Sequence, residues 1–359
     1  MPTLSLRRDR PRRARLGLHV AVATSELRAR ADGGGDRRAW RMMVDALADR
    51  GVVMLDGDHR RARRRADAWL VSGSRPLSPA LRRDHAVPVV CHLHEAPWED
   101  PAQRELLHPA FVASMTAWGR EATARAIRVV CDSRHGAREI AAVFGVPAQR
   151  IDAVPLACDH AVFRPGRPRP AVIGPGIYVL FVGAAHPRKN LPTLRRAMQL
   201  LAGHPNAGPA RLVCVLSPAS DRPDPETLMV EAASPLDGVE LQVLSGLDEG
   251  ELTSLYSHAA LLALPSLSEG FGLPALEAMA CGTPVVVSDR GALPEVVGDA
   301  GVVCQPEAAP LAAAMHRLLT DVSHREERSA AGLRRASQFT WSRTAQGLHA
   351  SLQRAVEEG

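Results

Sequence analysis

The sequence predicts an α/β protein built from two parallel-sheet domains that face each other across a cleft. Three observations carry this. Short apolar runs alternate with amphipathic stretches along almost the whole chain, the pattern of strands that are each followed by a helix. Several of the turns from run to helix are glycine-rich, at Gly33-Gly34-Gly35, at Gly183 and at Glu269-Gly-Phe-Gly-Leu273. A stretch dense in proline and glycine, 165–175, divides the chain near its middle and has the composition of an interdomain linker. The expected layout is a basic, disordered leader at 1–15, an N-terminal domain at 16–165, a linker at 166–176 and a C-terminal domain at 177–340. A closing helix at 341–359 is expected to pack back toward the first domain.

Size and composition agree with two domains. At 359 residues the chain is long for a single core, and 46% hydrophobic residues is a globular content. No apolar run approaches the roughly 18 residues that a membrane span needs. The six cysteines are scattered without a C-x-x-C pair, which predicts reduced, buried thiols and a cytoplasmic setting. Aromatics at 4%, with no binding motif, argue against nucleic acid.

Charge is unevenly placed. Residues 1–65 hold 17 arginines against 8 acidic residues. Two readings stand: contact with an acidic acceptor or with anionic lipid on the inner face of a membrane, or a solvated tail at 7–15 with a basic loop at 60–65. No amphipathic apolar face accompanies the charges, which favours the second. Lysine usage is sharper. The 44 Lys+Arg are 43 arginines and one lysine, Lys189. In a chain that uses arginine nearly everywhere, the surviving lysine marks a place that needs a compact ammonium, or it survives by chance.

In chain order, 16–24 is a first strand. An apolar run after a basic stretch also resembles a signal peptide, but this one is only about nine residues long and leads into the glycine loop and a helix at 39–50 closed by Gly51. Strands follow at 52–55, 66–72 and 87–93, the last running into His92-Leu-His94. A helix from about 111, a strand at 129–133, a helix at 136–144 and a strand at 151–155 complete the first half. The second half opens with a strand at 177–182, the loop His186-Pro-Arg188-Lys189-Asn190 and a helix at 191–202. Strands at 211–216 and 239–244 precede a helix at 248–256, where Asp248 and Glu251 are spaced as a capping pair. Then come a strand at 259–264, the glycine loop, and a helix opened by Pro274 and stopped at Gly282. Strands at 285–287 and 301–304 and helices from 308, 323 and 341 close the chain.

The chemistry concentrates at 264–288. A strand, a glycine loop and a helix N-terminus present free N–H groups beyond the strand end, which suits an anion. Glu269 and Glu277, with seven residues between them, accept hydrogen bonds and so suit vicinal hydroxyls. Glu277 can also be read as a carboxylate that merely complements the helix dipole. Arg188 and Lys189 place two cations at another strand end, as a diphosphate would require.

This stretch resembles the donor-binding segment of the retaining family-4 glycosyltransferases, with their E-x7-E signature, G-F-G-L-P core and following G-T-P-V-V-V-S-D. The Arg188-Lys189-Asn190 loop resembles that family's R-K-N, and Asp159 to Pro165 its D-x-x-x-F-x-P segment. Two positions depart from the pattern: Leu156-Ala157-Cys158 stands where Asn-Gly usually precedes the aspartate, and Ala184 where an arginine is common. The resemblance implies the GT-B fold, two Rossmann-like domains, and retention of anomeric configuration. It also implies a nucleotide-diphosphate sugar, UDP- or GDP-linked most readily, on the C-terminal domain, with a hydroxyl-bearing acceptor on the other. It assigns donor binding to Gly34, Gly35, Gly183, Arg188, Lys189, Glu269, Gly270, Phe271, Gly272, Leu273 and Glu277. It places His94, Arg188, Lys189 and Glu269 at the reacting centre, with no metal and no cofactor. His94 can equally be structural. His92-x-His94 reads as a metal pair only with a third ligand, and none is evident in the sequence. Asp56-Gly-Asp58, a D-x-D as in metal-binding glycosyltransferases of other folds, is too short a pattern to count. The competing readings are a sugar-nucleotide epimerase, a phosphorylase, or a non-catalytic sugar-nucleotide-binding protein.

Overall fold

The computed structural model describes residues 17–23, 35–83, 86–204, 211–219 and 224–359. The leader at 1–15 and Gly34 lie outside the described residues.

Two six-stranded sheets, all parallel, form the two halves. The first has strands β1 (His19–Val22), β2 (Val53–Asp56), β3 (Ala68–Ser72), β4 (Val89–His92), β5 (Arg128–Cys131) and β6 (Ile151–Ala153), in the order β2-β1-β3-β4-β5-β6. The second has β7 (Val179–Ala184), β8 (Arg211–Ser217), β9 (Glu240–Leu244), β10 (Leu261–Leu264), β11 (Val285–Ser288) and β12 (Val302–Cys304). Its order is β12-β11-β10-β7-β8-β9. Central strands such as β4, β10 and β11 are buried along their whole length. Helices cover both faces of such sheets, which is why these strands read as unbroken apolar runs. Strand order reverses beside β1 and between β7 and β10, and loops that leave the C-terminal strand ends at such points open a crevice.

The helices that frame that crevice are α1 (Gly35–Asp49), α2 (Arg134–Phe144), α3 (Leu191–Ala202), α4 (Glu249–His258), α5 (Leu273–Ala280) and α6 (Trp341–Glu358). Their ends follow local chemistry. Ser133 caps α2, and Gly145 ends it in the left-handed conformation at φ 66°. Asp248 and Glu251 complete a reciprocal capping box on α4. Several sequence expectations change, among them that Gly35, expected in the glycine loop, is the first residue of α1. The basic stretch expected as a loop at 60–65 forms a helical turn at Arg60–Arg63. A helix at Pro225–Ala233 has no sequence counterpart, because only Ala232 is buried and no apolar face marks it.

The last helix, α6, lies against α1 and the first sheet. Thr344 Oγ1 donates to the Pro155 carbonyl at 2.7 Å, and Ser351 Oγ to Asp152 Oδ2 at 2.8 Å. The chain therefore passes between the two sheets twice. Five of the six cysteines are buried, Cys304 is partly so, and all are free thiols. Among the described residues no helix is long and apolar enough to cross a membrane.

Candidate active site

The second sheet builds one wall at its β7/β10 reversal. After β7 the chain makes a single tight turn at Pro187–Lys189, capped by His186 Nδ1, which accepts from the Arg188 N–H at 3.0 Å. Asn190 then adopts the left-handed conformation at φ 55°, which asparagine tolerates better than most residues. Its side-chain amide donates to the Pro265 and Pro306 carbonyls, both at 3.1 Å, and so fixes the turn to the loops after β10 and β12. The turn delivers Lys189 Nζ to Glu269 Oε1 at 2.6 Å, where Ser266 Oγ also donates at 2.8 Å. Burial opposes the Glu269 charge, but Lys189 and Arg188 outweigh it and hold the carboxyl below the usual glutamate range. Gly183, at the end of β7, lies under the Lys189 chain: a Cβ there would sit 3.7 Å from its methylenes.

Gly270, Phe271 and Gly272 form the loop into α5, and Leu273 is its first residue. Gly272 has φ 97°, and a Cβ on it would come 2.6 Å from the Leu293 side chain. Phe271 is buried against Phe339, edge to face at 5.9 Å. The loop is braced from behind by Gly291, where an added Cβ would lie 2.5 Å from both N and O of Glu269.

Glu277 points sideways from α5 and is buried. Tyr256 of α4 donates to its Oε2 at 3.0 Å, and Arg38 of α1 donates to its Oε1 at 2.8 Å. Arg38 also pairs with Glu249 at 3.4 Å and lies 5.2 Å over the Phe163 ring. Burial raises the Glu277 carboxyl above its ordinary range, and Arg38 and Tyr256 offset only part of that. A dipole-complementing carboxylate needs none of these partners.

The opposite wall comes from the first sheet. Gly35 opens α1, three residues before Arg38. His94 follows β4, and its Nδ1 lies 2.6 Å from Asp132 Oδ2. Asp132 Oδ1 lies 2.8 Å from His92 Nε2. The third group missing from the His-x-His reading is therefore present. His92, His94 and Asp132 offer ligand atoms within 4.8 Å of one another, and this trio could hold a metal ion. Their separations are those of carboxylate–imidazole hydrogen bonds.

The walls meet through several contacts. Arg188 Nη1 donates to Glu95 Oε1 at 3.2 Å, and Glu95 is the residue after His94. Ser133 Oγ donates to the Gly270 carbonyl at 2.8 Å, and the Arg134 N–H to Glu295 at 3.0 Å. Arg38, Glu95, Asp132, Tyr256 and Gly291 escape sequence reasoning. Only Asp132 leaves a usable trace, a charged residue at the end of an apolar strand.

Residues 167–335 match the glycosyl transferases group 1 family. The chain carries a group 1 glycosyltransferase domain. It is 33% identical over 293 residues to the D-inositol 3-phosphate glycosyltransferase of Rhodococcus erythropolis, which covers 77% of this chain and 63% of that one. It is 37% identical over 210 residues to the O-antigen chain mannosyltransferase B of Escherichia coli, covering 56% of this chain and 54% of that one. The match thus spans less than two thirds of either relative. Among solved structures, sucrose-phosphate synthase of Thermosynechococcus elongatus superposes with a TM-score of 0.74 at 19% identity, covering 95% of this chain and all of that one. Anabaena HepE, solved with UDP and glucose, gives 0.65 at 16%, covering 94% and 100%. These likenesses show the fold, which is GT-B.

Proposed function

We propose that the protein moves a sugar from a nucleoside-diphosphate sugar to a hydroxyl-bearing acceptor, with retention at the anomeric carbon and without a metal ion. The Lys189–Glu269 pair carries the reading. The one lysine of the chain is held, almost buried, at the mouth of a glycine loop that leads into a helix N-terminus. An ammonium so placed, with Arg188 beside it, neutralises a diphosphate that gains charge as it leaves. The Gly270–Leu273 amides add donors for the same oxygens.

In this reading Glu277 accepts the ribose hydroxyls in place of Arg38, and Glu269 fixes Lys189 and accepts from the sugar. His94, on the other wall, meets the sugar near the reacting carbon. The bond from that carbon to the phosphate oxygen breaks and its electron pair stays on the phosphate. The acceptor oxygen bonds to the same face, and its proton passes to the departing phosphate. No side chain is needed as a covalent nucleophile, and rate comes from leaving-group stabilisation and acceptor positioning. The acceptor lies against the N-terminal segment 97–109, expected as loop but built of two short helical turns at Pro97–Glu99 and Pro101–Glu105, and is a cell-envelope glycan or lipid or a secondary metabolite.

Thermal stabilisation by UDP, GDP, ADP, dTDP and their sugars, in chelator, tests this. A shift for one base that disappears in Glu277→Ala and in Lys189→Ala supports the donor site. Absence of any shift overturns it, and conversion of the sugar nucleotide without an acceptor replaces transfer by epimerisation.

A further inference from the structure

The donor reading employs one member of the cluster at the C-terminal edge of the first sheet and leaves two idle. β4 and β5 are parallel neighbours with His92 opposite Val130, so His94 and Asp132 leave the sheet side by side. One carboxylate grips two rings, with Oδ2 2.6 Å from His94 Nδ1 and Oδ1 2.8 Å from His92 Nε2. The His92 and His94 rings meet edge to face at 4.6 Å, and Trp40 of α1 packs on His92 at 5.9 Å. The side chains of His92 and Asp132 are 1% and 2% exposed, whereas that of His94 is 15% exposed. The cluster reaches solvent through His94.

We propose that Asp132 is a positioning residue, which accepts the Nδ1 proton of His94 and so fixes the ring with Nε2 as its working nitrogen. This rests on the reading of His94 as the group that meets the donor sugar. A carboxylate can only accept, so the imidazole nitrogen that faces it must carry hydrogen. In the neutral ring Nε2 is then an acceptor, and its direction is set by the bond at the other end. His92 supplies what a single pair lacks. Its N–H holds the second carboxylate oxygen, so Asp132 cannot swing and take the His94 ring with it. Two imidazole N–H groups on one buried carboxylate favour its ionised form, which can only accept. An amide at this position would offer a donor as well as an acceptor and leave both tautomers open, the effect known from His–Asp pairs in hydrolases.

Histidine-selective nitrogen NMR on the full chain, with His94→Ala to assign the resonance, reads the tautomer directly. The expected result is a protonated Nδ1, whether the ring is neutral or charged. In Asp132→Asn an Nε2-protonated population appears beside the Nδ1-protonated one, and kcat falls about 100-fold, within the range of a lost general acid–base or polar catalyst. KM for the donor and the nucleotide-induced thermal shift stay near those of the unsubstituted protein. An unprotonated Nδ1 in the unsubstituted protein overturns the proposal, and this readout survives if Asp132→Asn does not fold. So does an unchanged kcat in a folded Asp132→Asn. Stoichiometric zinc that resists chelator and is lost in Asp132→Asn also overturns it, in favour of a metal site. Failure of the underlying reading has a different signature, a normal kcat in His94→Ala.

Discussion

The Ser133 hydroxyl accepts the Gly136 N–H at 2.9 Å and gives its own proton to the Gly270 carbonyl at 2.8 Å. One side chain thus caps α2 and fastens the glycine loop of the other half. Ser133→Ala loses both bonds, and unfolding in urea should show a loss of about 2 kcal/mol, a helix cap plus one buried hydrogen bond. Ser133→Asp restores the cap but cannot donate to Gly270. It should recover part of the stability and none of the loop's thermal response to nucleotide.

Lys189→Ala leaves the Glu269 carboxylate buried without its nearest cation. A drop of about 3 kcal/mol is expected, as for other broken buried pairs, together with loss of transfer. Adding Glu269→Gln removes the stranded charge. The double variant should melt near the parent temperature and still fail to transfer, which separates folding from chemistry.

The same pair sets an acid limit. The Glu269 carboxyl is depressed, so its contribution is full above the ordinary glutamate value of about 4.3 and is lost as pH falls through the lower folded value. Stability of Glu269→Gln should therefore fall less steeply than that of the parent in that acid window. Parallel slopes in calorimetry would refute this.

Glu277 has the opposite sign. Its carboxyl is raised, so its contribution is present below the ordinary glutamate range and is lost as pH rises through the raised value. At neutral pH its charge is a net cost in the absence of ligand. Glu277→Gln should melt no lower than the parent at neutral pH, lose that advantage in acid, and bind nucleotide poorly. Arg38→Ala, which removes the group competing for Oε1, should bind nucleotide more tightly while the free protein melts lower. Weaker binding in Arg38→Ala would show that the arginine helps hold the ligand.

Gly291 and Gly145 form a matched pair. Both have positive φ, 61° and 66°, but a Cβ on Gly291 meets the Glu269 backbone at 2.5 Å whereas one on Gly145 meets nothing within 4 Å. Gly145→Ala should cost about 1 kcal/mol, the left-handed penalty alone. Gly291→Ala should cost well over 2 kcal/mol and abolish the nucleotide-induced shift, because backbone cannot step aside as a side chain can.

What the sequence reveals depends on whether a residue's neighbours are also its neighbours in the chain. The bounds of α3 are readable to the residue because the turn at Lys189-Asn190 and Gly203 mark them locally. β10 and β11 are readable because both faces are buried. Lys189 stands out by composition alone. Arg38 is one arginine among many until α1 brings it to Glu277, 239 positions away. Tyr256 gains meaning only through α4–α5 packing, and Asp132 only because β4 and β5 lie side by side. The helix at Pro225–Ala233 escapes for the opposite reason, since it buries too little to leave a pattern.

The two passages of chain between the sheets touch each other. His160 Nε2, ahead of the linker, lies 3.0 Å from the Phe339 carbonyl in the returning strap, and Phe339 also packs on Phe271 of the glycine loop. Two tethers that run side by side act like paired bearings on one shaft: they permit a swing about their common line and resist sliding. A protease that cuts only the linker would not release the halves, and the nicked chain should still sediment as one particle. The glycine loop sits beside that line, where a given angle produces the least displacement. The far lip of the cleft would travel most, and on the proposed function a bulky acceptor would enter there.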